Sequence, residues 1–134
     1  MARIGHNVPL NALDHVTNLL KDSAGKDGVV SRQNAEELGK SLRRDGRGTE
    51  ALAAGKIFRM VDSFDAKPGA RVTAQDLDGA RSFVENEILE SADTNRNGYS
   101  QSEVENMPTT GRALVEIGLK LEAAGERHPS RIAH

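Results

Sequence analysis

Three times along this chain a β-prone residue is followed by a hydroxyl residue and then, three positions after the hydroxyl, by a side-chain oxygen. The stretches are Val30-Ser31-Arg32-Gln33-Asn34, Val72-Thr73-Ala74-Gln75-Asp76 and Tyr99-Ser100-Gln101-Ser102-Glu103. A hydroxyl at a helix N-cap accepts a hydrogen bond from the backbone N–H three residues on, and an oxygen at that position reaches back to the cap's own N–H. Each stretch therefore reads as a turn that delivers the chain into a helix. Each also follows an apolar-rich segment and a turn, so the unit that repeats is helix, loop, helix. The fold class this implies is all-α, with at most short β-bridges between loops.

Apolar spacing fills in the helices. Leu10, Leu13, Val16, Leu19 and Leu20 recur at intervals of three and four, which predicts a helix from Pro9 to about Lys21. The Gly, Ser and Asp-Gly residues between Asp22 and Ser31 break that period. Ser31 caps a helix from Arg32 to about Arg44, with Ala35, Leu38 and Leu42 on one face. After the polar Asp45-Gly46-Arg47-Gly48 connection, Thr49 and Glu50 open a helix whose apolar surface is Leu52, Ile57, Met60, Val61 and Phe64. Pro68-Gly69 ends it. The next helix, capped by Thr73, runs to about Ala92 and is expected to bury Leu77, Ala80, Phe83, Val84, Ile88 and Leu89. Beyond Ser100, Val104 and Met107 face inward, Pro108-Thr109-Thr110-Gly111 interrupts, and a last helix covers about Arg112 to Ala124. Five to six helices in one domain over residues 1–125, with a polar tail at 126–134, is the expected organisation.

Whole-chain quantities then exclude several functions. At 134 residues the chain can bury a core without staples. It has no cysteine, which removes disulfides, thiolate metal sites and cysteine nucleophiles together. Zinc would need histidine and carboxylate, and His6, His15, His128 and His134 show no pairing at helical or finger spacing. With 18 basic and 20 acidic residues the formal charge is −2, too weak a field to argue for nucleic acid or an anionic membrane. The few aromatics, Phe58, Phe64, Phe83 and Tyr99, do not make a base-stacking platform. No G-x-S-x-G, P-loop or H-E-x-x-H is present, and Glu85, Glu87 and Glu90 read as a solvated helix face rather than an acid/base cluster; the expectation is that the chain is not an enzyme. The N-terminus lacks the apolar stretch of a secretory signal, and nothing reaches the length of a membrane span, so a cytoplasmic protein is expected.

Chemistry concentrates in Asp93-Thr94-Asn95-Arg96-Asn97-Gly98-Tyr99-Ser100-Gln101-Ser102-Glu103. Oxygen-bearing side chains at alternate positions point inward from a curled loop, the glycine permits positive φ, and a later carboxylate can close the shell from a helix. The pattern resembles the calcium loop of the EF-hand family, D-x-[DN]-x-[DN]-G followed by five residues and Glu. Here four residues separate Gly98 from Glu103, one fewer than in the family. The resemblance implies Ca2+ as the bound cation, with Mg2+ as a substitute. Its ligands would be the side chains of Asp93, Asn95, Asn97 and Glu103, with a backbone carbonyl from Tyr99 or its neighbour.

The other two repeats are poorer in ligands. Counting back from Asn34 places Ser23, Gly25 and Asp27 at the first, third and fifth loop positions. In the second repeat Asp65 and Asp76 stand at first and twelfth, but Lys67 and Gly69 take the third and fifth. Both read as degenerate hands kept for shape.

EF-hands work in twos, joined by a small β-bridge. Of the three repeats the first two have the separation to pair, which leaves the third to pair with the first instead, to stand alone or to find its copy in a dimer. Two functions follow. One is a calcium sensor or modulator whose site is Asp93 to Glu103. The other is a metal-free helical adaptor that binds a peptide or a second copy of itself. In both, the expected partner is a protein or peptide, and neither nucleic acid nor membrane.

Overall fold

Each hydroxyl of the repeat opens a helix in a computed structural model, which describes residues 4–5, 7–26, 28–64, 72–92 and 98–125. The elements are α1 (Asn7–Asp22), β1 (Val29–Val30), α2 (Arg32–Arg44), α3 (Gly48–Phe64), β2 (Val72–Thr73), α4 (Ala74–Val84), α5 (Gln101–Glu105) and α6 (Thr109–Gly125). Ser31, Thr73 and Ser100 share one extended backbone conformation, with φ of −85°, −96° and −78° and ψ of 167°, 168° and 165°. All three capping boxes are reciprocal. The hydroxyl accepts from the N–H of Asn34, Asp76 or Glu103, and that residue's side chain accepts from the N–H of the cap. Two otherwise orphaned donors are satisfied at each helix start, which fixes where the helix begins.

The first two loops meet. β1 and β2 pair antiparallel, with Val29 opposite Thr73 and Val30 opposite Val72, so the residues directly before two of the caps face one another's strand. The third loop pairs elsewhere. Tyr99 forms an antiparallel bridge with Ile4, its N–H donating to the Ile4 carbonyl at 2.7 Å and its carbonyl accepting from the Ile4 N–H at 2.9 Å. The N-terminal segment thus fills the place for which the sequence offered the first loop, no partner or a second copy. Ile4 stands just before α1, as Tyr99 stands just before α5.

The main core joins α1, α3, α4 and α6 through fully buried Leu13, Val16, Leu20, Ile57, Leu77, Val84 and Leu114. α6 lies against α1 and α3. Its Gly118 makes that approach close: a Cβ there would stand 2.3 Å from the Val8 carbonyl oxygen. A second cluster collects Tyr99, Met107 and Val115, with Ile4, Ala92 and Val104 packed on it. No helix among the described residues is long and apolar enough to cross a membrane.

Three expectations change in detail. Leu52 is 41% exposed and Phe83 40%. On α3 the buried face is built from Ala53, Ala54, Ile57 and Val61, and Leu52 shares its side with Lys56 and Arg59. On α4 the buried stripe Leu77, Ala80, Val84 leaves Phe83 beside exposed Gly79 and Asn86. The helix expected to run unbroken to Ala92 widens into a π-helical stretch over Glu85–Glu90. Val84 and Leu89 are both fully buried yet five residues apart, a step that turns an ordinary helix about 140° away from the starting face. A turn with i→i+5 bonding brings both to the same side. Finally, α6 starts at Thr109, directly after Pro108, and Gly111 lies within it. A Cβ on Gly111 would be 3.0 Å from Ile88 Cγ2 and 3.1 Å from Met107 Sδ, so this glycine is a packing site rather than an interruption.

Candidate functional site

Of the residues proposed for the cation loop, Asp93, Asn95 and Asn97 lie outside the described residues, and so do Asp65, Lys67 and Gly69 of the second loop and Asp27 of the first. Gly98, Tyr99 and Glu103 are placed. Gly98 has φ of 93° and Gly28, at the equivalent place in the first loop, φ of 75°. Both values lie in the left-handed region that a Cβ disfavours, as expected for the glycine that turns such a loop. The single missing residue falls next to Gly98: the first loop continues as the two-residue strand Val29–Val30, the third as Tyr99 alone.

Tyr99 is fully buried, and its hydroxyl donates to the Leu89 carbonyl at 3.2 Å. Its ring fills the cluster with Met107 and Val115, and its backbone carbonyl is bonded to Ile4. Glu103 is partly exposed at the first turn of α5. Its Oε1 accepts the Ser100 N–H at 2.7 Å. The carboxylate is thereby held at the start of α5 by the cap it completes. Charge-assisted bonds of this kind are stronger than neutral ones.

The first loop is closed by its own bonds. Ser23 Oγ donates back to the Leu20 carbonyl at 2.7 Å, the Gly25 N–H donates to Val29 O at 3.0 Å, and Asn34 Oδ1 accepts from the Ser31 N–H at 3.0 Å. The hydroxyl at its first position therefore points toward α1. Among the described residues, no three His, Asp or Glu side chains converge to hold a metal ion.

A polar cluster away from the loops joins α1 to the corner between α2 and α3. Glu50 receives Arg47 through both oxygens, Nε to Oε2 at 2.9 Å and Nη2 to Oε1 at 2.5 Å, and His15 Nε2 lies 2.6 Å from Oε1. Partial burial pushes the Glu50 carboxyl up, but hydrogen bonds from Arg47 and His15 outweigh it and hold the group below its ordinary value. The hydrogen bond to Glu50 likewise raises Arg47. His15, which the sequence placed beside the α1 stripe, is a satisfied structural residue. Arg81 of α4 serves a similar purpose, pairing with Asp14 of α1 and with Glu85 at 2.8 Å.

Sequence reasoning found the three caps but not Ile4 as the partner of Tyr99. The one local signal was a β-branched residue shortly before a helix start. Comparison with family models, with curated proteins and with solved structures gave no match.

Proposed function

We propose that the chain is a calcium-binding, EF-hand-like sensor or modulator rather than an enzyme, with its site at residues 93–103. The observation that carries this reading is the geometry around the loops. Three identical capping boxes follow the three loops, two of the loops are joined by an antiparallel bridge, and the glycine before Tyr99 has the positive φ such a loop requires. In this reading Asp93, Asn95 and Asn97 offer side-chain oxygens, and Gly98, the neighbour of Tyr99, offers the backbone carbonyl because that of Tyr99 is given to Ile4. Glu103 closes the shell from α5. Calcium supplies the positive charge that these oxygens gather around. Two carboxylates in the set imply weak affinity, with Kd on the order of 10⁻⁵ to 10⁻³ M.

Glu103 would have to turn from the Ser100 N–H toward the loop, tilting α5. Met107, two residues beyond α5, packs with Tyr99 and with Val115 of α6, so the tilt is passed to the helix that covers α1 and α3. Tyr99 is the only tyrosine and there is no tryptophan, which makes its emission a direct reporter. Calcium titration is expected to change Tyr99 emission and to raise Tm, because a ligand of the native state stabilises it by mass action. Absence of both responses at millimolar calcium would sink the reading.

The second reading, a metal-free helical adaptor for a peptide or a second copy, draws on the hydrogen bond that already engages Glu103. It is favoured if Tm is the same with calcium, magnesium or chelator.

A further inference from the structure

The π-helical stretch Glu85–Glu90 takes one residue more to complete its turn than an α-helix does. Both of its apolar residues are in use. Leu89 is fully buried on the same side as Val84, and its carbonyl accepts the Tyr99 hydroxyl at 3.2 Å. Ile88 is half-buried and lies on the start of α6, where a Cβ on Gly111 would be 3.0 Å from its Cγ2.

The same residues have a second way to cover the core. If the α-helix of α4 simply continued, Ile88, four residues after Val84, would stand about 40° round from it, and Leu89 about 140°. Ile88 would then occupy the side that Leu89 now takes. The two side chains contain the same atoms in a different branching, and cores accept such volume-conserving exchanges at small cost. What separates the registers lies at the edges. In the α-helical one the place facing Gly111 passes to Glu87, now an exposed carboxylate, and the Leu89 carbonyl turns away from the Tyr99 hydroxyl. Both effects favour the widened register.

We propose that Glu85–Glu90 is a two-register switch, with a major widened register latched by the Tyr99 hydroxyl and a minor α-helical register in which Ile88 replaces Leu89 in the core. Passing from the first to the second advances the chain beyond Glu90 by one residue, about 1.5 Å along the axis with a turn of about 100°. It also releases α4 from the cluster of Tyr99, Met107 and Val115. Neither the stretch nor the Tyr99 hydroxyl is a proposed cation ligand, so the switch belongs to the cation-free protein and stands or falls separately from calcium binding.

The test is NMR relaxation dispersion of the backbone amides of residues 84–91 in the full chain with chelator present, on the μs–ms scale of helix register shifts. The unaltered chain is expected to show one shared exchange rate across these amides. Tyr99→Phe keeps the ring but removes the latch, and is expected to raise the minor population about fivefold, the effect of one net hydrogen bond. Deletion of the exposed Asn86 leaves Leu89 four residues after Val84, where an ordinary helix buries both. That variant is expected to unfold cooperatively and to lose the exchange. Flat profiles in both the unaltered chain and Tyr99→Phe overturn the proposal, as does a minor population that Tyr99→Phe leaves unchanged. Exchange that survives the deletion would be fraying of the helix end, and loss of cooperative unfolding in that variant would mean that the surroundings require the extra residue. Either result also overturns it.

Discussion

Gly118 sets how closely α6 can approach α1, and its replacement opposes two effects of known size. Alanine inside a helix is ordinarily favoured over glycine by up to about 1 kcal/mol. Here the added Cβ would meet the Val8 carbonyl oxygen at 2.3 Å and Val8 Cγ1 at 2.6 Å. No side-chain rotation relieves a clash with backbone, and overpacking costs about 1–3 kcal/mol. Gly118→Ala is therefore expected to lower stability in urea unfolding by about 1–3 kcal/mol. Gly79→Ala on α4, where nothing lies within 4 Å, is expected to raise it by about 0.5–1 kcal/mol. An unchanged or raised midpoint for Gly118→Ala would contradict the close α1–α6 contact.

Glu50 gives a pH dependence at the same scale. Its folded-state value is held below its ordinary one, so the folded state binds fewer protons than the unfolded chain in the window between the two. The stability it contributes is fully present above the unfolded value of about 4.3 and is lost as pH falls through the folded value. Glu50→Gln is expected to cost about 1 kcal/mol at neutral pH. It should also flatten the fall in Tm on the acid side, below about pH 4.3. An unchanged acid limb would show that the Arg47–Glu50–His15 cluster does not couple to folding.

At the scale of the element, each helix start after a loop rests on one hydroxyl. Replacing Ser31, Thr73 or Ser100 with alanine removes the acceptor that holds Asn34, Asp76 or Glu103 N–H, and each substitution is expected to cost about 1 kcal/mol in thermal unfolding. Ser100→Ala should do more than destabilise, since it frees the end of α5 that carries Glu103; a loss in Tm without any change in helical content would argue against the cap as the determinant of that helix start. These elements were legible in the sequence because caps are local: the hydroxyl, the oxygen three residues on and the intervening backbone are all within one turn. The widened stretch Glu85–Glu90 and the helical Gly111 were not. Both are set by contacts from elsewhere in the chain, the need to bury Val84 and Leu89 together and the packing of Ile88 and Met107 on Gly111.

At the scale of the molecule, the bridge between Ile4 and Tyr99 ties the N-terminus to the third loop and shields the cluster of Tyr99, Met107 and Val115. Ile4→Pro removes the N–H that donates to the Tyr99 carbonyl. It is expected to reduce protection of the Tyr99 amide in hydrogen exchange by about 1 kcal/mol, leaving the amides of the β1–β2 pair as they were. Equal loosening of both bridges would mean that the two loop pairs are one cooperative unit.

By itself the sequence determined the all-α class, the helix–loop–helix repeat, the three capped starts and the positions of the turn glycines, because each depends on side chains and backbone only a few residues apart. Only the tertiary structure decided which loops pair, which residue completes the third bridge, and why Leu52 and Phe83 face outward. Those outcomes depend on how closely helices approach, and a glycine or alanine that permits the approach carries no local signal of the partner it will meet.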